Sequence, residues 1–366
     1  MKKLIVHVSC VEITEESGMG RIEWHWRNAF VKKGYEFFHI GPKEVGKVYH
    51  STLFPYAALK AYKKLKLRPS LFLIHEPVSG LFVSDGIPTV VESHGIERRI
   101  WKLKLKYNWS GMRIWKMLWT SLIFPLYRLK ISDHGLQKAD MLLIANEEDY
   151  NFVRNYYGRE PADIYLYKNG VYPSKLNELN QPHNETRVLF VGSWLERKGI
   201  RTLISAAEIL FDKGMRLKYL VAGTGLDVKN VLDFWPERIR PFVEVIPYFK
   251  REDEENLYRK SNIFVLPSWY EGQPLALLQA METGRCCITT DCCGQKDLIT
   301  HDYNGLLFPP GDAQRLASLI EECVSGTDKR LRLGKNAKLS VKDRTWYVVA
   351  DELVDKIDEM LNKLKY

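Results

Sequence analysis

Ile263–Asp312 reads IFVLPSWYEGQPLALLQAMETGRCCITTDCCGQKDLITHDYNGLLFPPGD. Its opening residues are apolar and β-prone, and Pro267-Ser268 stops them, so the segment begins as a buried strand. Glu271 and Gly272 fall in a loop. Pro274 suits the first turn of a helix, where its missing N–H costs nothing. Leu277, Leu278 and Met281 then recur at helical spacing and face a core. CCITT, from Cys286, is a second buried strand. Continuous apolar strands joined by helices mark a parallel sheet covered on both faces.

The same alternation extends outward on both sides. RVLFVGSW leads into a helix from Gly199 to about Lys213, and LKYLVAGTG and VEVIPY follow as strands. Upstream, Pro173 to Arg187 is polar with few apolar anchors and reads as an interdomain linker. Before it, LIVHVS, FFHIG, LFLIH, TVVES, MLLIAN and IYLYKNG alternate with helix-length stretches. The expected fold class is therefore α/β, with two Rossmann-like, doubly wound parallel-sheet domains. The expected boundaries are 1–172, a linker at 173–187, and 188–342. A helix in 343–366 is expected to pack back on the first domain.

The chain has 366 residues, 45% hydrophobic and 27% charged, which is enough for two ordinary cores. MKKLIVHVSC reads as a first buried strand rather than a signal peptide, because its apolar run is short and interrupted by His7. No apolar window is long enough for a membrane span, so a cytoplasmic location is expected. The formal net charge of +9 fits an anionic ligand, an anionic membrane surface or nucleic acid. The six cysteines are clustered rather than spread, unlike a secreted disulfide framework. CC-x4-CC also lacks the paired C-x2-C knuckles of zinc sites.

In open α/β sheets ligands sit at the carboxyl ends of the strands. Four such places carry polar or glycine-rich residues. The helix opening after Pro274 offers free N–H groups and a positive dipole end to a phosphate or a hydroxyl-rich ligand, with Glu271 beside it. An ordinary helix start with an acidic cap is the alternative reading of the same residues. In VGSWLERKGI, Lys198-Gly199 open a helix, a good place to neutralise a pyrophosphate. Gly18-Met19-Gly20-Arg21 follows the first strand, and small residues there let backbone N–H groups approach a ligand. Glu23 occupies the third glycine position of G-x-G-x-x-G, which disfavours a dinucleotide. His94 ends the strand of VVESHGIERR.

These ordered elements resemble the family 4 glycosyltransferases of GT-B fold. Their consensus here is a strand, PS-x-x-EG-x-P-L-x-x-x-E-A-M, a strand, T-x-x-GG-x-x-E and NGLL-x-x-P. The resemblance runs over nearly the whole chain, with its specific part in the second half. It implies a retaining, metal-independent transfer of a sugar from a nucleotide diphosphate sugar to a glycan or lipid-linked hydroxyl, in the cleft between facing domains. It implies no resident cofactor, no metal and no nucleic-acid partner.

Glu271 takes the first glutamate of the family's E-x7-E pair, against the donor sugar. Gln279 stands at the second, which binds the ribose diol. Lys198 matches the diphosphate-binding lysine. Ser193 replaces the arginine after the first glycine, and Arg197 is a candidate substitute. Gly272, Gln273, Pro274 and Leu275 line the phosphate side, Gly18 and Gly20 correspond to the glycine-rich loop, and His94 lies near donor sugar and acceptor. Cys293 replaces one glycine of the GG pair. These departures leave open a sugar-nucleotide binder with weakened or lost turnover, and an inverting GT-B enzyme is a further alternative.

Arg98 to Lys130 contains no acid and interleaves nine basic residues with Trp101, Trp109, Trp115 and Trp119. That pattern suits adsorption to the anionic inner face of a membrane, or a helical pair with a solvated basic face.

Overall fold

The computed structural model describes residues 3–83, 86–107, 121–122, 124–174 and 186–364. It separates into two compact units. One comprises the chain up to Asn169 together with the residues from Trp346 onward, and the other is Gly170–Thr345.

The first unit holds six strands: β1 (Leu4–Val8), β2 (Glu36–Ile40), β3 (Leu71–His75), β4 (Thr89–Ser93), β5 (Met141–Ile144) and β6 (Ile164–Leu166). They form one sheet in the order β2-β1-β3-β4-β5-β6, and every pairing is parallel. Helix Gly18–Lys32 covers one face. Its buried stripe includes Ile22, Trp26, Ala29 and Phe30, the spacing of an amphipathic helix, but also the carboxylate of Glu23. The last helix, Trp346–Lys363, packs on it: the Trp346 ring stacks on His25 at 4.3 Å and Lys32 Nζ donates to Tyr347 Oη at 2.6 Å.

The second unit holds β7 (Arg187–Val191), β8 (Lys218–Ala222), β9 (Val243–Ile246), β10 (Ile263–Leu266), β11 (Cys286–Thr290) and β12 (Leu306–Phe308). Their order is β12-β11-β10-β7-β8-β9, again all parallel. The chain therefore winds one way from β7 and the other way from β10. The crevice between these two neighbours is the topological switch point, where such sheets bind ligands. Helix Leu275–Glu282 follows β10 and buries Leu277, Leu278 and Met281 almost completely, each contributing about 1.5–3 kcal/mol.

Two boundaries differ from the sequence expectation. The second unit begins at Gly170 and runs to Thr345 because its ends are tied together: Val171 bridges Thr345, and its N–H donates to the Arg344 carbonyl at 2.7 Å. The start of the expected linker is also held down within this unit. Ser174 N donates to Glu282 and Ser174 Oγ to Glu255. Residues 175–185 of that linker lie outside the described residues, as do Trp109, Arg113, Trp115, Lys116 and Trp119 of the basic segment.

Candidate active site

Two turns meet at the switch point of the second sheet. The first leaves β7 and makes one tight turn over Glu196–Lys198 before helix Ile200–Asp212. Gly199 closes that turn at φ 71°, and a Cβ there would lie 1.9 Å from the Pro267 carbonyl oxygen. Only glycine satisfies both conditions. The second turn leaves β10 through Pro267 and Ser268 and is clamped to the first, since Trp269 N donates to the Arg197 carbonyl at 2.8 Å. Behind it, a Cβ on Gly294 would fall 1.8 Å from the Gly272 carbonyl oxygen, so the first turn of helix Cys293–Leu298 presses on the same backbone.

This close packing brings Lys198 and Glu271 together, 73 residues apart in sequence. Lys198 Nζ lies 2.5 Å from Glu271 Oε1, and Ser268 Oγ donates to the same oxygen at 2.8 Å. Arg197 Nη1 stands 3.7 Å from Oε2, the less engaged oxygen. Burial disfavours ionisation of Glu271, but the Lys198 ammonium and the Arg197 guanidinium outweigh it and hold the carboxyl below its usual range. Burial pushes Lys198 below the usual lysine value, against the pull of Glu271. A buried pair of this kind is fixed in position and pre-paid in desolvation, as an electrostatic site requires.

The remaining candidates fall into place unevenly. Pro274 caps helix Leu275–Glu282, so Gly272, Gln273, Pro274 and Leu275 form its N-terminal approach beside Glu271. Gln273 Oε1 is held by Arg344 Nη2 at 2.8 Å. Ser193 is exposed on the β7 turn and carries no charge to replace an arginine. Cys293 adopts φ 49°, a conformation that suits glycine, and thereby shows why the resembling family places glycine here.

Two expectations need correction. Gln279 does not present a free amide: its Nε2 donates to the Tyr172 carbonyl at 3.1 Å, and its Oε1 accepts from Tyr172 N at 3.3 Å. It fastens the start of the unit instead. Gly18 and Gly20 do not form an open loop. Gly18 is the first residue of the helix, and the Gly20 N–H is spent on the Ser17 cap. A Cβ on Gly20 would meet Glu12 O at 2.4 Å, so this glycine serves packing.

In the first unit His94 follows β4, with Nδ1 2.9 Å from Tyr167 Oη and Nε2 3.6 Å from Glu92 Oε1. Nearby, burial drives the Glu76 carboxyl up to about 8, although Ser93, Ser132 and the Glu97 N–H all donate to it. Sequence reading missed Ser268, although its place three residues before Glu271 could have suggested a partner. It also missed Glu92, which hides in an apolar strand.

The basic segment is partly neutralised. Arg98 pairs with Asp133, Arg99 with Glu148 and Asp149, and Arg128 with Glu97. Among the described residues no helix is long and apolar enough to cross a membrane.

Residues 172–340 match the family model described as "Glycosyl transferases group 1", a span that falls inside the second unit. The amylovoran biosynthesis glycosyltransferase AmsK of Erwinia amylovora is 31% identical over 45% of this chain and 43% of its own length. An uncharacterized glycosyltransferase of Haemophilus influenzae is 22% identical over 94% of this chain and 96% of its own length. This chain thus spans under half of the first relative and nearly all of the second. Among solved structures, sucrose-phosphate synthase from Thermosynechococcus elongatus superposes with a TM-score of 0.78 at 19% identity, covering 99% of this chain and 100% of that one. The fold is GT-B.

Proposed function

We propose that this chain, whose residues 172–340 match the group 1 glycosyl transferases, moves a sugar from a nucleotide diphosphate sugar to a glycan or lipid-linked hydroxyl, with retention of configuration. The observation that carries the reading is the Lys198–Glu271 contact at the switch point of the matched domain. Lys198, Arg197 and the N-terminus of helix Leu275–Glu282 place positive charge where a departing diphosphate gains negative charge. Glu271 Oε2, with the Arg197 guanidinium as its one ionic neighbour among the described residues, has lone pairs left for sugar hydroxyls. The acceptor hydroxyl attacks from the side the leaving group departs, and the departing phosphate takes its proton. No protein nucleophile and no metal are needed.

Thermal-shift screening of UDP-, GDP- and ADP-sugars, followed by product analysis, tests this. A donor that stabilises the protein and yields product whose anomeric coupling matches the donor supports it. Inverted product would refute retention, and nucleotide binding without transfer or hydrolysis would leave a binding protein. The engagement of Gln279 by Tyr172 favours that second reading as the fallback, since the ribose then loses a partner.

Membrane adsorption is the remaining part of the proposal. Leu105 is exposed on the helix Glu97–Tyr107 that carries Lys102, Lys104 and Lys106, and Leu122, Leu126 and Tyr127 are exposed in the stretch that leads to Lys130. Co-sedimentation with vesicles containing anionic lipid, lost on adding salt, supports it.

A further inference from the structure

The face of the first sheet beneath helix Gly18–Lys32 holds a polar cluster that sugar transfer does not use. His7 projects from β1, Glu92 from β4 and Glu23 from the helix, and each is at most 1% exposed. His7 Nε2, Glu23 Oε2 and both Glu92 carboxylate oxygens have no hydrogen-bond partner among the described residues. One ligand atom from each of the three lies within 4.8 Å of the others. Neither carboxylate has a lysine or arginine within ion-pairing distance among the described residues; their only ionic neighbours are His7 and His94. Two carboxylates facing each other in a dry interior are costly unless a cation or a proton joins them.

The spacings point to a cation. His7 Nε2 is 3.9 Å from Glu23 Oε1 and 3.7 Å from Glu92 Oε1. These gaps are too long for hydrogen bonds. A water joining two such groups would hold them about 4.6 Å apart. A zinc ion at its usual bond lengths sets neighbouring ligands roughly 3.4 Å apart, within a few tenths of an ångström of the observed gaps. The outer contacts also fit. His7 Nδ1 pairs with His39 Nδ1 at 3.0 Å, which can fix the tautomer that leaves the Nε2 lone pair facing the carboxylates. Ser9 Oγ steadies Glu23 at 2.7 Å. Two carboxylates and a neutral imidazole balance one divalent ion, and one nitrogen with two oxygens suits zinc better than calcium or magnesium.

We propose that His7, Glu23 and Glu92 hold a structural zinc ion inside the first unit. Its role is to lock helix Gly18–Lys32 onto β1 and β4, independently of the transfer chemistry.

Metal analysis of the purified full-length chain after exhaustive dialysis tests this, alongside His7→Gln and Glu92→Gln. About one zinc per chain is expected in the wild type. Each variant should weaken zinc binding roughly a hundredfold or more, and His39→Phe by about ten- to a hundredfold through the His7 ring. Should the ligand variants fail to fold, cobalt(II) substitution of the wild type replaces them, with imidazole and carboxylate absorption bands expected. Any one of three results overturns the proposal: no zinc retained at micromolar free metal, zinc retained undiminished in both folded ligand variants, or a thiolate-to-cobalt band that moves the ion to the cysteines. The first would mean that Glu23 and Glu92 share a proton instead.

Discussion

The two units bury carboxylates in opposite ways. In the second, Glu271 sits past the end of β10 with Lys198 against one oxygen and Arg197 near the other. In the first, Glu23 and Glu92 lie between a helix and the sheet beside imidazoles and the Ser9 hydroxyl, with no lysine or arginine in ion-pairing distance among the described residues. An acid matched by fixed cations at a strand end is poised to take a charged ligand into its field. An acid deep in a sheet face, with no cation, holds something in place. Position along the strand, rather than burial, distinguishes the two settings.

Breaking the matched pair should have the largest effect. Lys198→Ala and Glu271→Ala should each lower transfer by about two to three orders of magnitude while circular dichroism stays native. Gly199→Ala should follow. Its Cβ collides with the Pro267 carbonyl and its φ is 71°, so a loss of about 3 kcal/mol by urea unfolding is expected, with transfer falling as the two turns separate.

The contrast also has a pH signature. Glu271 has a depressed folded pKa, so its contribution is present above the ordinary 4.5 and disappears as pH falls through the folded value. Glu76 runs the other way. Its folded pKa is raised to about 8, so the stability it confers is complete below 4.5 and is lost as pH rises toward 8. Glu76→Gln should remove that decline, worth a few kcal/mol at most, in unfolding midpoints measured from pH 5 to 8. The smallest effect is expected from Cys293→Gly. Relief of a left-handed φ, less the flexibility glycine adds, should raise the unfolding free energy by up to about 1 kcal/mol, read by urea titration.

The fold was legible because eleven of the twelve strands read as mostly apolar runs between helical stretches, a pattern that parallel sheets impose on sequence, while the three-residue strand Leu306–Phe308 was too short to read. That Lys198 and Glu271 meet could be expected from sequence because each lies in the connection that leaves a strand at its carboxyl end. The Gln279–Tyr172 contact was not legible because the partner is backbone, a long-range contact that residue identity does not encode. Gly20 was misread because a capped helix start and an open phosphate loop both favour glycine. The His7–Glu23–Glu92 cluster stayed hidden because its members are scattered over three elements, and two of them interrupt strands that otherwise read as core.

The central claim is that Lys198 provides the positive charge for a donor diphosphate. Calorimetric titration with a nucleoside and its diphosphate, for the base the wild type prefers, tests it directly. The wild type should bind the diphosphate at least about tenfold more tightly, and Lys198→Ala should erase most of that advantage. An advantage of equal size in both proteins would contradict the account.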